Sequence, residues 1–133
     1  MVKRSILLAE DDVDDQNIFR DFLKDRPDLH LLTPVENGEA LMETLLSKDD
    51  EKLPDIIILD QNMPKRNGLQ TLQQLKQDER FANIPVVIYS TYTDQMLTKA
   101  ALELGAYKVA AKPVSRAGYN EMMNDFLKYF NQP

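Results

Sequence analysis

Five short apolar runs alternate with five amphipathic segments along the chain, and this alternation constrains the fold more than any other feature. The runs are rich in β-branched residues, which is typical of buried strands; they span 5–9, 29–35, 56–59, 85–89 and 107–111. Each run is followed by a segment whose apolar residues recur at helical spacing. Such alternation predicts one sheet of parallel strands, joined by right-handed crossovers and covered by helices on both faces.

The order of the strands follows from a proline in the second run. Pro34 cannot donate a hydrogen bond to a neighbouring strand, so the strand at 29–35 should lie at an edge of the sheet. With that strand at the edge, the order 2-1-3-4-5 fits best and places strands one and three side by side. We therefore predict an α/β fold with a doubly wound, five-stranded parallel sheet.

The helical segments also predict which side chains face the sheet and where the helices begin and end. The first helix should run from Asp14 to about Lys24, Thr93 or Asp94 should begin the fourth, Gly105 should close it, and Ser115 should begin the fifth. The predicted inward residues are Ile18, Phe19, Phe22 and Leu23; Leu41, Leu45 and Leu46; Leu69, Leu72 and Leu75; and Tyr119, Met122, Met123, Phe126, Leu127 and Phe130.

Length and composition narrow the class of protein. A chain of 133 residues has room for one domain, and we expect a single domain over 1–133, with its core at about 4–130 and no output domain. The net charge of −6 argues against a nucleic-acid surface, and the lack of cysteine excludes disulfides and thiolate metal sites. His30 is the single histidine, so a zinc cluster built on histidines is excluded. No apolar run approaches the roughly 18 residues of a membrane span, and we expect a cytoplasmic protein that binds neither nucleic acid nor membrane.

Two of the predicted strands end in carboxylates. The first is followed by Glu10, Asp11 and Asp12, and the third ends at Asp60. If these strands are neighbours, Glu10, Asp11 and Asp60 share one crevice at the carboxyl edge of the sheet, where open α/β folds bind ligands. Carboxylates held that close repel one another, which suits a hard divalent cation, and Mg²⁺ fits best.

A hydroxyl and an ammonium group are predicted at the same edge. Ser90 ends the fourth strand, with Thr91 next, and Lys112 follows the fifth strand just before Pro113. A carboxylate nucleophile, a metal ion, an ammonium and a hydroxyl together indicate phosphoryl transfer, in which positioning and charge neutralisation do most of the work.

Four segments of the chain resemble the signature segments of the receiver domain of response regulators in two-component signalling. They are ILLAEDD, IIILDQNMPKRNG, PVVIYST and GAYKVAAKP, in the family's order and spacing, and the resemblance covers roughly residues 4–130. It implies a flavodoxin-like (βα)5 fold and a stand-alone, chemotaxis-receiver-like switch. In such a switch Asp60 accepts a phosphoryl group from a sensor histidine kinase or a histidine phosphotransfer protein.

The resemblance also implies a role for the other residues of the crevice. Mg²⁺ would be bound directly by Asp11 and Asp60, mainly through water by Glu10, and by the backbone carbonyl of Asn62. Ser90 matches the switch hydroxyl that moves to the phosphoryl group. Lys112 matches the lysine that pairs with a phosphoryl oxygen, and its bond to Pro113 is expected to be cis.

Several positions depart from the family pattern or have simpler interpretations. Val109 stands where many receivers carry an aromatic switch residue, and Thr91 stands where a small alanine is usual. Tyr92 occupies a position that tunes the lifetime of the phosphorylated state in family members. Asp12 is expected to cap a helix. The acids Asp14, Asp15, Asp49, Asp50 and Glu51 are expected to be solvated surface charge.

The function that follows is a phosphorylation-dependent switch whose partner binds the face formed by the fourth helix, fifth strand and fifth helix. We expect no enzymatic activity beyond the protein's own phosphorylation and dephosphorylation. The sequence does not decide whether the protein forms a homodimer. One alternative is a degenerate receiver that serves as a phosphorylation-independent interaction module. A second is an aspartate-nucleophile, Mg²⁺-dependent phosphohydrolase, although those enzymes need an acid where Asn62 stands. A flavodoxin-like cofactor carrier fits less well, because no Gly/Ser/Thr-rich phosphate loop follows the first strand.

Overall fold

The structure is a computed structural model that describes residues 3–131, and within that range it contains five strands and five α-helices. The strands are β1 (Arg4–Ala9), β2 (Leu29–Leu31), β3 (Ile56–Asp60), β4 (Val86–Ser90) and β5 (Lys108–Ala111). The helices are α1 (Val13–Leu23), α2 (Gly38–Leu46), α3 (Gly68–Gln77), α4 (Gln95–Glu103) and α5 (Arg116–Leu127). Short 3-10 helices lie at Asp50–Lys52 and Lys128–Asn131.

The five strands form one parallel sheet in the order β2-β1-β3-β4-β5, which confirms the predicted fold class and strand order. β2 is shorter than the predicted stretch of 29–35. It ends at Leu31, and Val35 returns to the sheet only through an isolated bridge to Ala9. Pro34, which has no N–H to donate, lies in the interruption.

Apolar side chains cover both faces of the sheet and form two separate cores. The strand residues are fully buried in β3 and β4, as a sheet covered on both sides requires. One core packs α2, α3 and α4 against the sheet, and the other packs α1 and α5 against the opposite face. Residues of the second core include Leu8, Phe19, Ile58, Tyr89 and Tyr119.

Two of the predicted inward residues face solvent instead. Ile18 is 50% exposed on α1 and Leu46 is 59% exposed on α2. In α1 the buried side chains are Phe19, Phe22 and Leu23, so Ile18 lies about 100° around the helix from the first of them. Leu46 stands in the same relation to buried Leu45. The apolar face of each helix is therefore narrower than its sequence pattern indicated.

Each α-helix begins at a polar side chain that accepts a hydrogen bond from the backbone N–H three residues later. The caps are Asp12, Asn37, Asn67, Asp94 and Ser115, which confirms the capping role of Asp12 and selects Asp94 over Thr93. Gly105 follows α4 with a φ of +102°, a left-handed conformation that favours glycine. Because each of these caps follows a strand in the chain, the helix starts lie near the carboxyl edge of the sheet.

The expected cis bond between Lys112 and Pro113 is wrong. Within residues 3–131 no peptide bond is cis. Even before proline the trans form is the more stable by about 0.5–1 kcal/mol, so a sequence resemblance alone was a weak basis for the expectation. In the same part of the chain, no helix combines the length and apolarity needed to cross a membrane.

Candidate functional site

Three carboxylates from neighbouring strands meet at the carboxyl edge of the sheet. Glu10 follows β1 and Asp60 ends β3, and these strands pair directly, with Ala9 opposite Leu59. One oxygen from each of Glu10, Asp11 and Asp60 lies within 4.8 Å of the others. Glu10 is 0% exposed and Asp60 is 3% exposed, whereas Asp11 is open to solvent. The structure thus brings together the acids that the sequence predicted to share one crevice.

The ammonium group of Lys112 joins this cluster from the loop after β5. Its Nζ lies 2.7 Å from Glu10 Oε1 and 3.4 Å from Asp60 Oδ2. The backbone N–H of Lys112 donates to the carbonyl of Ser90 at 2.9 Å, which ties the end of β5 to the end of β4. The predicted lysine is therefore in contact with both buried acids.

Asp15 also contacts Lys112, and its predicted role as solvated surface charge is wrong. Asp15 is half-buried in the first turn of α1, and its Oδ2 accepts a hydrogen bond from Lys112 Nζ at 3.1 Å. The turn that Asp12 caps points Asp15 toward the crevice. Lys112 is consequently held among three carboxylates, and the sequence had not indicated that Asp15 is one of them.

Ser90 is buried at the end of β4 with an unused hydroxyl. It is 1% exposed, and among the described residues its Oγ has no hydrogen-bond partner. A buried polar group without a partner costs about 1–3 kcal/mol, so it calls for an explanation. Thr91, the next residue, is exposed.

The loop after β3 is held close to Asp60. The backbone N–H of Asn62 donates to Asp60 Oδ1 at 3.3 Å, and that of Gln61 donates to the carbonyl of Tyr89 at 3.2 Å. At the start of α3, a Cβ on Gly68 would lie 2.9 Å from the Asp60 carbonyl oxygen, so only glycine permits this close approach. The expected metal-binding role of the Asn62 carbonyl stays a prediction.

Burial and mutual repulsion set the charge of the acids. Burial, followed by the neighbouring Glu10, raises the pKa of Asp60 to about 7. The pKa of Asp11 is raised by burial and by the same neighbour. Burial also acts to raise the pKa of Glu10, but hydrogen bonds from Lys112, Asp60 and Tyr89 outweigh it and hold the pKa below its usual value. Near neutral pH, Glu10 is therefore ionised while Asp60 is close to its titration point.

Lys112 remains charged in this environment. Burial acts to lower the pKa of its ammonium, yet hydrogen bonds to Glu10 and Asp15 outweigh that effect and raise the pKa above its ordinary value. The single positive charge of Lys112 does not balance the negative charges of the surrounding carboxylates when all of them are ionised. The donor set of close, hard oxygens with one solvent-open member fits a small divalent cation such as Mg²⁺.

Tyr89 is a site residue that the sequence analysis placed only as a strand residue. Its hydroxyl donates to Glu10 Oε1 at 2.8 Å, and both side chains are fully buried. Tyr89 is opposite Asp60 in the pairing of β4 with β3, so the two side chains point to the same face. The apolar pattern of the sequence does not fix that register, so it gave no signal for Tyr89.

Val109 does not bring an aromatic ring to the switch hydroxyl. It is half-buried and packs with the α2–α3–α4 core. Tyr107 packs with the opposite core instead, where its ring lies 5.1 Å from that of Tyr129. The aromatic position of the family pattern is therefore filled here by an aliphatic side chain.

Comparisons with known proteins identify the family of the chain. The family model described as the response regulator receiver domain matches residues 6–124. The chain is 27% identical over 124 residues to the probable C4-dicarboxylate response regulator DctR of Bacillus subtilis, covering 93% of this chain and 52% of that protein. It is 34% identical over 109 residues to protein-glutamate methylesterase/protein-glutamine glutaminase 1 of Myxococcus xanthus, covering 82% of this chain and 30% of that one. The chain thus spans about half or less of the length of these relatives.

Solved structures of receivers have the same architecture. The Mn²⁺-bound form of response regulator Rcp1 superposes with a TM-score of 0.78 at 27% identity, covering 96% of this chain and 94% of that one. Response regulator RPA3017, from red light signalling of R. palustris, superposes with a TM-score of 0.80 at 26% identity, covering 95% and 92%. With the family model matching most of its length, the chain belongs to the response regulator receiver domain family.

Proposed function

We propose that the protein is a signalling switch that accepts a phosphoryl group on Asp60 from a histidine kinase or a histidine phosphotransfer protein. Membership of the receiver domain family implies that the protein takes part in signalling by accepting a phosphoryl group. The observation that carries the proposal is the meeting of Glu10, Asp11 and Asp60 oxygens within 4.8 Å, with Lys112 Nζ 2.7 Å from Glu10. This arrangement combines a nucleophile, a cation site and a fixed positive charge.

In the proposed step, a carboxylate oxygen of Asp60 attacks the phosphorus of the donor's phosphohistidine. A phosphorus–oxygen bond forms, the phosphorus–nitrogen bond breaks, and its electron pair stays on the imidazole nitrogen. Asp60 must be ionised to attack; burial raises its pKa to about 7, and a cation held beside it would favour the ionised form. A bound Mg²⁺, held by Glu10, Asp11, Asp60 and the Asn62 carbonyl, would supply positive charge against the phosphoryl oxygens.

The residues around Asp60 support a response to the product. Phosphorylation adds about −1.5 to −2 charges and several strong acceptor oxygens. Lys112, 3.4 Å from Asp60 Oδ2, can pair with that charge. The unpartnered Ser90 Oγ would gain an acceptor, which removes the cost of its burial and favours a shift of the end of β4.

The surface formed by α4, β5 and α5 is the proposed site of partner binding. The hydrogen bond from the Lys112 amide to the Ser90 carbonyl links the two strand ends that border it. Tyr92 lies just before α4 and is 73% exposed, and Met96 lies in the first turn of α4 and is 82% exposed. Both offer apolar contacts near Ser90. For this surface to act as a switch, its partner must prefer the phosphorylated form.

Labelling with acetyl phosphate tests the proposal. Incubation with Mg²⁺ should add the mass of one phosphoryl group to the intact protein, and EDTA should prevent the gain. Asp60→Asn should abolish labelling, whereas Asp94→Asn, which exchanges one good helix cap for another at an exposed site, should label normally. Labelling that persists in Asp60→Asn, or that ignores Mg²⁺, would refute the assignment.

A further inference from the structure

A buried tyrosine contacts the acidic site from the α1–α5 side of the sheet. Tyr89 is fully buried in β4, and its hydroxyl donates to Glu10 Oε1 at 2.8 Å. Its ring packs edge-on against Phe19, with the ring centroids 6.3 Å apart. The phosphoryl-transfer chemistry proposed above makes no use of this side chain.

The tyrosine hydroxyl is unusual for its surroundings. The neighbouring strand residues Val86, Val87 and Ile88 fill the core with hydrocarbon alone, and burying a hydroxyl among them without a partner would cost free energy. Here the hydroxyl is paired with a carboxylate that is itself 0% exposed. A hydrogen bond to a charged group in such a place is strong and directional.

The contacts of Glu10 divide its two oxygens between different roles. Oε1 accepts from Tyr89 at 2.8 Å and from Lys112 at 2.7 Å. Oε2 accepts a hydrogen bond from the Asp12 amide at 3.1 Å, and Asp60 lies beside the carboxylate as a further hydrogen-bonding partner. One donor on Oε1 lies in β4 and the other in the loop after β5, and with the amide on Oε2 they restrict the rotation of the carboxylate. Oε2 is left with spare acceptor capacity.

We propose that Tyr89 is a positioning residue, whose hydroxyl fixes the Glu10 carboxylate so that Oε2 stays available to the cation site. This inference rests on the proposed function, because it assumes a divalent cation beside Glu10, Asp11 and Asp60. Replacing a group that orients a metal ligand typically weakens metal binding by about 10- to 100-fold. Without the hydroxyl, the carboxylate loses its one donor from β4 and is held less firmly in its rotation.

Tyr89→Phe tests the inference, because it removes the hydroxyl and keeps the ring that packs on Phe19. Calorimetric titration with Mg²⁺ should show a Kd about tenfold higher than that of the wild type. Labelling by acetyl phosphate should need correspondingly more Mg²⁺ but reach a rate within about twofold of wild type at saturation. A purely structural role for the hydroxyl would not produce this shift in Mg²⁺ dependence.

Tyr119→Phe is the matched control. Tyr119 is buried in the same aromatic cluster, with its ring centroid 5.6 Å from that of Phe19, and within residues 3–131 its hydroxyl makes no hydrogen bond to Glu10. Its Mg²⁺ affinity should stay within about twofold of wild type. If Tyr89→Phe does not fold, Tyr89→Met supplies a second variant without a hydroxyl, since methionine adapts to irregular cores.

The outcomes separate this inference from the function on which it rests. A wild-type protein that does not bind Mg²⁺ would overturn the proposed function and the inference together. Wild-type binding with an unchanged Kd in Tyr89→Phe would overturn the positioning role alone. Failure of both Tyr89 variants to fold would assign the hydroxyl to core stability and overturn the positioning role as well.

Discussion

Asp60 carries the charge balance of the site. With a pKa of about 7 in the folded protein and 3.8 in an unstructured chain, it binds more protons when folded across the whole interval between those values. The free energy of unfolding of the metal-free protein therefore falls as the pH rises through this interval, and the effect levels off above about pH 7. Burial beside Glu10 thus destabilises the folded protein when Asp60 is ionised, and a bound cation would relieve this cost.

Asp60→Asn should accordingly stabilise the protein in EDTA, and more so at high pH. The neutral amide removes the penalty of ionising a buried group, so we expect the gain to be roughly 2 kcal/mol larger at pH 8 than at pH 5. Urea denaturation of both proteins at the two pH values measures this difference. A gain that does not change with pH would contradict the raised pKa.

Lys112→Met should destabilise the metal-free protein by about 3 kcal/mol, although methionine is apolar and of similar length. The reason is that Glu10, which is fully buried, loses the ammonium 2.7 Å from its Oε1. Adding Glu10→Gln should recover at least half of the loss, because the amide carries no charge. If the double variant is no more stable than Lys112→Met, the loss does not come from an uncompensated carboxylate.

Sequence reasoning found site residues that stand at strand ends and missed those that reach the site by other routes. Glu10, Asp60 and Lys112 follow or end strands, and the predicted topology alone brings them to one edge. Asp15 reaches Lys112 from a helix, and its direction depends on how α1 rotates against the sheet. Tyr89 depends on the exact register of β4 with β3. Neither rotation nor register was fixed by the apolar pattern.

At the scale of the elements, helix caps fix where each helix starts. Asn67 and Gln70 form a reciprocal pair at the start of α3, in which each side chain accepts from the other's backbone N–H. The same turn places Gly68 against the Asp60 carbonyl. The cap therefore stabilises both the helix and the loop that connects Asp60 to it.

Asn67→Ala should lower the free energy of unfolding by about 1 kcal/mol, because the first-turn N–H groups of α3 lose their acceptor. Gln73→Ala, at an exposed position in the same helix, is the control and should cause no loss, since alanine favours helix. Chemical denaturation of the two variants compares them directly. Equal stability of the two would show that the cap contributes nothing.

Element positions were predictable to the extent that local chemistry decides them. Pro34 correctly predicted an edge strand, but it also ended the strand sooner than the apolar run indicated. Ile18 and Leu46 were placed inward because the pattern contained more apolar residues than a helix face can bury. How wide that face is depends on the sheet it covers, which the helix sequence does not contain.

At the scale of the whole molecule, strand order follows from the alternation of elements and one proline, and it was confirmed. The order matters because it makes β1 and β3 neighbours and so assembles the site from residues 50 positions apart in the chain, Glu10 and Asp60. The geometry of the Lys112–Pro113 bond was not predictable in this way. Two isomers of such a bond differ by about 1 kcal/mol or less, so packing decides between them.

Phosphorylation should change backbone protection on one side of the molecule. Hydrogen–deuterium exchange with acetyl phosphate and Mg²⁺ should show altered protection in 90–116, which contains α4, β5 and the loop of Lys112. The segment 29–46, with β2 and α2, should stay unchanged because it lies at the opposite edge of the sheet. Changes spread evenly over both segments, or equal changes in Asp60→Asn, would contradict a switch surface.

The identity of the phosphorylated residue is the central claim, and chemical trapping tests it most directly. Borohydride delivers one hydride to the carbonyl carbon of an acyl phosphate, which releases phosphate and leaves an aldehyde. A second hydride and a proton convert the aldehyde into an alcohol, so a phosphorylated aspartate becomes homoserine. After labelling in Mg²⁺ and reduction, peptide mass spectrometry should find homoserine at position 60 and aspartate at positions 11 and 15. Homoserine at another position, or none in a protein that has gained a phosphoryl group, would contradict the account.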